Sequence, residues 1–330
     1  MLGKYESKLS IQETQAAIQF LRHKFETELC DALDLNLDSA PMFVNVKSGL
    51  NDNLNGFERP VTFDVLETGE VMEIVHSLAK WKRYALHQYG IPVHKGIYTD
   101  MNAIRRDEDC DAIHSLYVDQ WDWEKVITRE DRTEEYLKQV VRDIYGAIKM
   151  TSKAVQRRYP QLVDILPDEI SFVTTQQLED RWPDFTAKER EKAIARECGA
   201  VFIMKIGCRL ESGKKHDGRA PDYDDWQLNG DILVYYPLLD IGLELSSMGI
   251  RVDETSMVKQ LEEANATDRM RFDFHKNIIN GTLPLTIGGG IGQSRLCMFL
   301  LQKAHIGEVQ SSVWPQSEID YCKQNGINLL

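Results

Sequence analysis

The most informative stretch of the sequence is Gly288-Gly289-Gly290-Ile291-Gly292-Gln293-Ser294-Arg295. An apolar strand is predicted over 283–287, followed by a glycine turn and a helix from about residue 293 to residue 302. Glycines let a backbone approach a ligand closely, and the N-terminus of the helix would present N–H groups to a phosphate. Arg295, in the first turn of that helix, would add a guanidinium.

This stretch has a second interpretation, in which the glycines only pack a strand against a helix and Arg295 is solvated. The spacing alone favours neither interpretation, because glycine motifs match by chance often. The stretch lacks the GxxxxGK[ST] pattern of a P-loop, and no acidic residue follows at the distance typical of a Rossmann fold.

Two acidic residues lie on the strands that are predicted before this unit. Strands are expected over 231–236 and 242–252, so Asp231 and Glu244 would lie on neighbouring strands and could face each other. Mg²⁺ usually takes one or two carboxylates together with substrate phosphates. The alternative for both residues is a polar strand edge without a ligand.

The second of these strands continues with more polar residues. Because side chains alternate along a strand, Glu244 and Ser246 are predicted to share one face. A long polar segment, 207–229, precedes the two strands and is predicted to be a loop, which in a compact domain is usually functional or mobile. Its acids are Asp222, Asp224 and Asp225, and solvation is the simpler interpretation for Asp222 and Asp225.

Two further segments carry polar residues that fit substrate binding. Adjacent basic and acidic side chains at 104–109 could bind a phosphate through Arg105, although a charged hairpin tip is the more common explanation. In the predicted strand 114–124, Gln120 and Asp122 share a face and could bind an ammonium group. A polar edge strand is the alternative, and Asp119 and Glu124 are expected to have no special role.

A predicted helix over 78–89 carries three cations, Lys80, Lys82 and Arg83. Lys82 could bind a substrate carboxylate or phosphate, but a solvated helical face is the usual interpretation of such a run. His76, just before the helix, is expected to be a hydrogen-bonded structural histidine. Residues 51–56 form a turn cluster by composition, since Asn, Asp and Gly are common turn residues.

The remaining pattern predicts helices around an antiparallel sheet. Ser10 and Glu13 have capping-box spacing, and the apolar residues after them recur at helical intervals. Further helices are predicted over 131–158 and 187–197, with a buried strand over 200–206. No repeat or low-complexity tract interrupts the chain, so we predict a single domain over residues 1–330 of the α+β class.

Composition limits the possible functions. The chain has 330 residues and a formal net charge of −13, which on average would repel nucleic acid. No apolar run approaches the roughly 20 residues of a membrane helix, and the first residues lack the apolar region of a signal peptide. The six cysteines form no zinc-type cluster. We therefore expect a cytoplasmic protein without nucleic-acid or membrane partners.

Taken together, these segments resemble one family. The first helix and strand, the Arg105–Glu108 loop and the glycine unit occur in the order of the three class II aminoacyl-tRNA synthetase signatures. The strings HSLAKWKR, LYVDQWDWE, RAPDYDDW and ELSSMGIRV, with TIGGGIGQSRL, are similar to the ammonia-dependent asparagine synthetases, or aspartate–ammonia ligases. The similarity covers nearly the whole chain.

The resemblance implies a class II synthetase-like antiparallel sheet flanked by helices, and a homodimer formed through the first helix and strand. It implies synthesis of asparagine from aspartate, ammonia and ATP through a β-aspartyl adenylate, with Mg²⁺ and with release of AMP and pyrophosphate. The implied catalytic residues are Asp52, Lys82, Arg105 and Arg295. The implied substrate contacts are Ser77, Lys82, Gln120, Asp122, Ser246 and Arg251; the ATP contacts are Arg105, Glu108, Asp224, Ser247, Gly292 and Arg295; the metal ligands are Asp231 and Glu244.

Two alternatives to this function are weighed against the residues. A synthetase paralogue that transfers its aminoacyl adenylate to a macromolecule is disfavoured by the negative charge and by the lack of a recognisable anticodon-binding domain. A regulator without catalytic activity is disfavoured because the phosphate-binding and metal-binding candidates are all present. No candidate N-terminal cysteine nucleophile for glutamine hydrolysis occurs, so free ammonia is the expected nitrogen source.

Overall fold

The structure is a computed structural model, and it describes residues 5–52 and 58–330. Its α-helices are α1 (Ile11–Leu33), α2 (Ala79–Tyr89), α3 (Glu134–Arg158), α4 (Thr175–Arg181), α5 (Ala187–Cys198), α6 (Glu254–Glu263), α7 (Asp273–Ile279), α8 (Gln293–Leu300) and α9 (Gln316–Gln324). Its strands are β1 (Leu35–Leu37), β2 (Phe43–Asn45), β3 (Thr62–Asp64), β4 (Val71–Ile74), β5 (Gly96–Ile104), β6 (Tyr117–Val126), β7 (Ser171–Thr174), β8 (Ala200–Met204), β9 (Asp224–Tyr236), β10 (Ile241–Arg251) and β11 (Thr286–Gly292).

Within those residues, the strands form one large sheet of order β1-β5-β6-β11-β10-β9-β8-β7 and a small sheet of order β2-β4-β3. The predicted antiparallel arrangement holds from β5 to β8. It is wrong at both edges, where β1 pairs with β5 and β7 pairs with β8 in parallel. In both pairs the edge strand comes first in the chain, and the connection after it brings the chain back to the neighbouring strand in the same direction. The sheet as a whole is therefore mixed.

The glycine stretch is not the predicted turn. Residues 286–292 are β11, paired on one side with β6 and on the other with β10. Glycine is needed here because neighbouring side chains cross the strand. A Cβ added at Gly288 would overlap the Glu124 carboxylate, and one added at Gly290 would overlap the Gln120 amide.

The first helix begins where the capping box predicted, and its buried side forms part of the core. The Ser10 hydroxyl caps α1 and Glu13 returns a hydrogen bond to the backbone of Ser10, as the capping box predicts. The buried side of α1 packs on β6, where the ring centroids of Phe25 and Trp121 are 4.6 Å apart. Trp121 and Trp123 have no exposed surface, so one face of β6 belongs to the core.

Several elements differ from the prediction. The sequence predicts a turn after the first helix, over about residues 34–39, but β1 lies there instead. Asp34 adopts a left-handed conformation (φ 57°) that ends the helix, and Leu35 starts the strand. The prediction missed β5 and β7. β9 starts at Asp224, so the polar loop is shorter than predicted, and Asp222 and Asp225 are buried rather than solvated. The prediction of a single domain stays a prediction.

Candidate active site

A cavity of about 410 Å³ opens on the side of β6 opposite Trp121 and Trp123. It brings together most of the residues that the sequence predicted for the site: Asp52, Ser77, Arg105, Glu108, Gln120, Asp122, Asp224, Glu244, Ser247, Arg251, Gly292 and Arg295. Lys82, Ser246 and Asp231 lie outside its lining. Asn53, Leu54, Asn55 and Gly56 of the predicted turn cluster lie outside the described residues.

Two guanidinium groups face this cavity from different elements. Arg105 starts the connection between β5 and β6, with Nη1 3.9 Å from the Glu108 carboxylate. Its Nε is buried without a hydrogen-bond partner in the part of the chain that the structure describes. Arg295 extends from α8 and donates through Nη1 to the Glu244 carbonyl oxygen at 3.1 Å. Two cations beside one open space suit an extended anion such as a polyphosphate.

One N–H group at the N-terminus of α8 is bound by a carboxylate of the protein itself. The Ser294 N–H donates to the Asp119 carboxylate at 3.0 Å, and the Ser294 hydroxyl donates to the same group at 2.8 Å. Arg22 of α1 also pairs with Asp119, at 2.6 Å. Asp119 thus accepts from one of the N–H groups that were expected to face a phosphate. It also has a structural role, whereas the sequence predicted no special role for it.

A guanidinium that the sequence did not single out connects two predicted site residues. Arg219 lines the cavity and donates to the Ser247 hydroxyl at 2.5 Å and to the Asp231 carboxylate at 2.6 Å. Burial and the negative charge of Glu244, opposed by Arg219, raise the pKa of Asp231 to about 7. Glu244 lies 3.9 Å from Arg295, so acids and guanidinium groups alternate along this wall.

A β-bulge changes which side chains of β10 face the cavity. Glu244 pairs with Leu233 while Ser246 pairs with Ile232, so Leu245 is an extra residue in β10. Glu244 and Ser247 therefore line the cavity, whereas Ser246 is buried away from it. The prediction that Glu244 and Ser246 share a face is wrong for this reason.

The floor of the cavity is a network of buried charges. Arg251 donates to Glu124 through Nε at 3.0 Å and Nη2 at 2.7 Å, and to Asp224 through Nη1 at 2.5 Å. Thr286 donates to the same Glu124 carboxylate at 2.7 Å. Burial alone would raise the pKa of Glu124, but Arg251 and its other donors lower it, so the carboxylate stays charged.

Lys82 is covered by protein atoms rather than by the open cavity. Its side chain is fully buried, and its ammonium group donates to Asp122, to the Trp123 carbonyl at 2.9 Å and to the Gly289 carbonyl at 3.2 Å. The burial lowers the pKa of Lys82. Asp122 also accepts from the Leu78 N–H at 3.2 Å, so Lys82 and the start of α2 together orient the Asp122 carboxylate.

The other cations of α2 are buried as well, so the solvated face proposed for this helix is wrong. Arg83 donates to the backbone oxygens of Pro284 and Val252 at 2.9 and 2.7 Å. Burial lowers the pKa of Arg83 to about 10. A residue pattern that usually indicates solvent exposure instead links α2 to the two segments beside β11.

Asp52 also lines the cavity. Its N–H donates to the Asn51 side-chain oxygen at 2.9 Å, and the His76 N–H donates to the same oxygen at 2.8 Å. The His76 ring nitrogen Nδ1 is 3.2 Å from the Asp52 carbonyl oxygen. Since a carbonyl only accepts, Nδ1 carries the hydrogen, and His76 has the structural hydrogen bond that was expected.

Comparison with known proteins identifies the family. Residues 12–326 match the family model described as aspartate-ammonia ligase. The aspartate–ammonia ligase of Fusobacterium nucleatum is 62% identical over 99% of this chain and 99% of its own length. That of Limosilactobacillus reuteri is 60% identical over 99% of this chain and 98% of its own. The chain belongs to the aspartate–ammonia ligase family. The family predicted from the sequence is therefore confirmed.

Solved structures extend the family's relationship at the level of the fold. Asparaginyl-tRNA synthetase from Pyrococcus horikoshii, complexed with asparaginyl-adenylate, superposes with a TM-score of 0.67 at 13% identity over 92% of this chain and 70% of that one. The Entamoeba histolytica enzyme in complex with asparaginyl-adenylate gives 0.64 at 12% identity, over 91% and 66%. The aspartate–ammonia ligase chain thus has the class II synthetase fold, as predicted.

The site of this aspartate–ammonia ligase family member also suits a divalent cation. Asp231 and Glu244 lie close enough for the charge of Glu244 to add to the effect of burial in raising the pKa of Asp231 to about 7, while Arg219 opposes the rise. Mg²⁺ usually takes one or two carboxylates together with phosphate oxygens of a substrate, so these two residues could hold it. Among the described residues, no three or more His, Cys, Asp or Glu side chains form a cluster that could hold a metal ion by themselves.

Sequence reasoning missed Glu124 and Arg219 in this family member. Glu124 was expected to have no special role, although it follows Asp122 on the same face of β6. The alternation that selected Gln120 and Asp122 extends to Glu124, and this signal could have found it. Arg219 lies among acidic residues in the polar loop, and no sequence pattern distinguishes it. Its importance follows from its hydrogen bonds to Asp231 of β9 and Ser247 of β10.

Proposed function

We propose that this protein forms asparagine from aspartate and ammonia while ATP is cleaved to AMP and pyrophosphate. The observation that carries the proposal is the single cavity that Arg105, Arg295, Asp122 and Asp52 share. Two guanidinium groups are at hand for phosphates, one carboxylate for an ammonium group of an amino acid, and a second carboxylate for the attacking nitrogen. Family membership supports the same reaction.

In the first step, an oxygen of the aspartate β-carboxylate attacks the α-phosphorus of ATP. The bond from that phosphorus to the bridging oxygen breaks, and pyrophosphate leaves with the electron pair. Arg105 holds the α-phosphate, where charge changes in the transition state, and Arg295 holds the distal phosphates. Asp231 and Glu244 would hold Mg²⁺, which neutralises phosphate charge when it is bound.

The amino acid and the nucleotide are held by the remaining cavity residues. Asp122, with Gln120 and Ser77, binds the ammonium and α-carboxylate end of aspartate, and Lys82 acts through Asp122, which it orients. Arg251 binds a substrate carboxylate from the charged floor. The proposed nucleotide contacts are Glu108, Asp224, Ser247 and Gly292. Ser246 has no supporting contact, because the bulge turns it away from the cavity.

In the second step, ammonia attacks the carbonyl carbon of the β-aspartyl adenylate. A free carboxylate is a poor acyl donor, whereas AMP is a good leaving group, so the new C–N bond forms as the bond from carbon to the phosphate oxygen breaks. Asp52 binds ammonium and accepts a proton from it, since neutral ammonia is the nucleophile. Asparagine and AMP are released.

Product analysis tests this function. The protein is incubated with ATP, Mg²⁺, aspartate and ammonium, and the products are separated by mass spectrometry. Asparagine together with AMP and pyrophosphate is expected; ADP with phosphate would refute the adenylate route. Aspartyl transfer to added tRNA would favour the synthetase paralogue, which the net charge of −13 argues against.

We further propose a homodimer in the cytoplasm. Apolar side chains of the segment around β2 are exposed, with Leu37 59%, Met42 56% and Phe43 45% accessible. Exposed apolar groups at such density usually belong to an interface.

All six cysteines are free, as is usual in a reducing compartment. In the described residues, no helix is long and apolar enough to cross a bilayer. Sedimentation equilibrium of the wild type and Phe43→Asp tests the dimer.

A further inference from the structure

One buried carboxylate outside the cavity contacts a lysine, an arginine and a histidine side chain. Asp222 has no exposed surface, and its Oδ2 atom forms an ion pair with Lys80 at 2.9 Å. The same oxygen accepts from Arg269 at 3.0 Å and lies 3.0 Å from Nε2 of His275. The donors come from α2, from the turn after α6 and from α7. Lys80 and its partners hold the pKa of Asp222 well below its usual range, although burial alone would raise it.

Lys80 extends this cluster to the segment that carries Asp52. Its ammonium group, 4% exposed, also donates to the Asn51 carbonyl oxygen at 3.2 Å. The His76 ring donates to the next carbonyl, that of Asp52, at 3.2 Å. Lys80 and His76 thus bind two successive carbonyl oxygens, those of residues 51 and 52. The Asn51 side-chain oxygen accepts from the Asp52 N–H.

These contacts hold the backbone of Asn51 and Asp52 in place beside the cavity. A buried ammonium group keeps its charge and place only while an anion compensates it. Asp222 is that anion for Lys80, and Lys80 is the one member of the Asp222 cluster that reaches residue 51 among the described contacts. The direction in which Asp52 presents its carboxylate to the cavity therefore depends on a carboxylate that does not line the cavity.

We propose that Lys80, held by Asp222, is a positioning residue for the ammonia step. It acts through the Asn51–Asp52 backbone and touches neither aspartate nor ATP. The proposal rests on the proposed function, in which Asp52 receives the ammonium ion. Its consequence is specific: loss of Lys80 impairs the use of ammonia while the formation of the adenylate, which needs no ammonia, continues.

The test compares Lys80→Met with Arg269→Met in the full-length protein. Arg269 donates to the same Asp222 oxygen but links it to the turn after α6 instead of to Asn51. Adenylation is followed by aspartate-dependent exchange of labelled pyrophosphate into ATP, and asparagine formation is followed at varied ammonium. Lys80→Met is expected to raise the ammonium KM about tenfold or more with exchange within about threefold of the wild type, whereas Arg269→Met keeps the wild-type ammonium KM.

The outcomes separate the two proposals. An unchanged ammonium KM in Lys80→Met overturns the positioning role. An equal rise of the ammonium KM in Lys80→Met and Arg269→Met also overturns it, because that result indicates a purely structural cluster. If the wild type makes no asparagine, the proposed function itself fails. If Lys80→Met does not fold, Asp222→Asn, which keeps the shape of the side chain, is measured in the same way; a wild-type ammonium KM in that variant also overturns the proposal.

Discussion

Removing the charge of Glu124 should destabilise the protein measurably. The carboxylate is fully buried and accepts from two nitrogen atoms of Arg251 and from the Thr286 hydroxyl, with Lys82 3.8 Å away. Breaking one partner of a buried ion pair costs about 3–5 kcal/mol. Because Arg251 keeps its bond to Asp224, and glutamine keeps one acceptor oxygen, Glu124→Gln should lie at the lower end, about 3 kcal/mol.

This loss translates into a shift that calorimetry can resolve. An unfolding entropy of about 2.1 cal/mol/K per residue over 330 residues gives about 0.7 kcal/mol/K, so the midpoint should fall by about 4 °C. Urea unfolding provides the free energy directly. Glu135→Gln is the matched control, since that side chain is 80% exposed, and its change should stay within about 0.5 kcal/mol.

The pH dependence gives a second check with a defined sign. The pKa of Glu124 is lowered below its ordinary value of 4.5, so the folded state favours the charged carboxylate. Its contribution is present above the unfolded pKa and is lost as the pH falls through the lower folded pKa. Glu124→Gln should therefore lose less stability than the wild type on acidification below about pH 4.5. Equal unfolding free energies of the variant and the wild type at pH 7 would refute the reasoning.

Three other changes test the site. Arg105→Ala should abolish aspartate-dependent pyrophosphate exchange while circular dichroism and the unfolding midpoint stay those of the wild type; normal exchange would remove Arg105 from the phosphate site. Asp52→Asn should raise the ammonium KM by about tenfold or more with exchange largely retained, and an unchanged ammonium KM would contradict its role. Gly288→Ala should lower stability by about 1–3 kcal/mol, because its methyl group would overlap the Glu124 carboxylate, and urea unfolding at the wild-type midpoint would show that the strand yields instead.

Local patterns in the sequence predicted the elements whose cause is local. The capping box at Ser10 fixes the start of α1, and the aromatic, β-branched run around Trp121 gives β6 together with its two faces. The resemblance to the family added the residues of the cavity, and most of them do line it. Both kinds of signal depend on residues that are near in sequence or on long matching strings.

The errors arise where distant parts of the chain decide. Gly288 and Gly290 look like a turn, but β6 and β10 pair on both sides and their side chains fill the space where a Cβ would be. The bulge at Leu245 depends on the register with β9, which no local pattern reveals. From the sequence, Lys80, Lys82 and Arg83 resemble a solvated helical face, because most of their carboxylate and carbonyl partners are at least 40 residues away in the chain. The exception is Asn51, a partner of Lys80.

The unbroken pairing of β6 restricts how homologous chains can differ in length. Its register with β5 and with β11 runs without a shift over 117–126. Inserting or deleting a single residue within it would exchange the two sets of side chains, so that indole rings would enter the cavity and carboxylates would enter the core. Length changes among homologous chains should therefore be absent from the ten residues of β6.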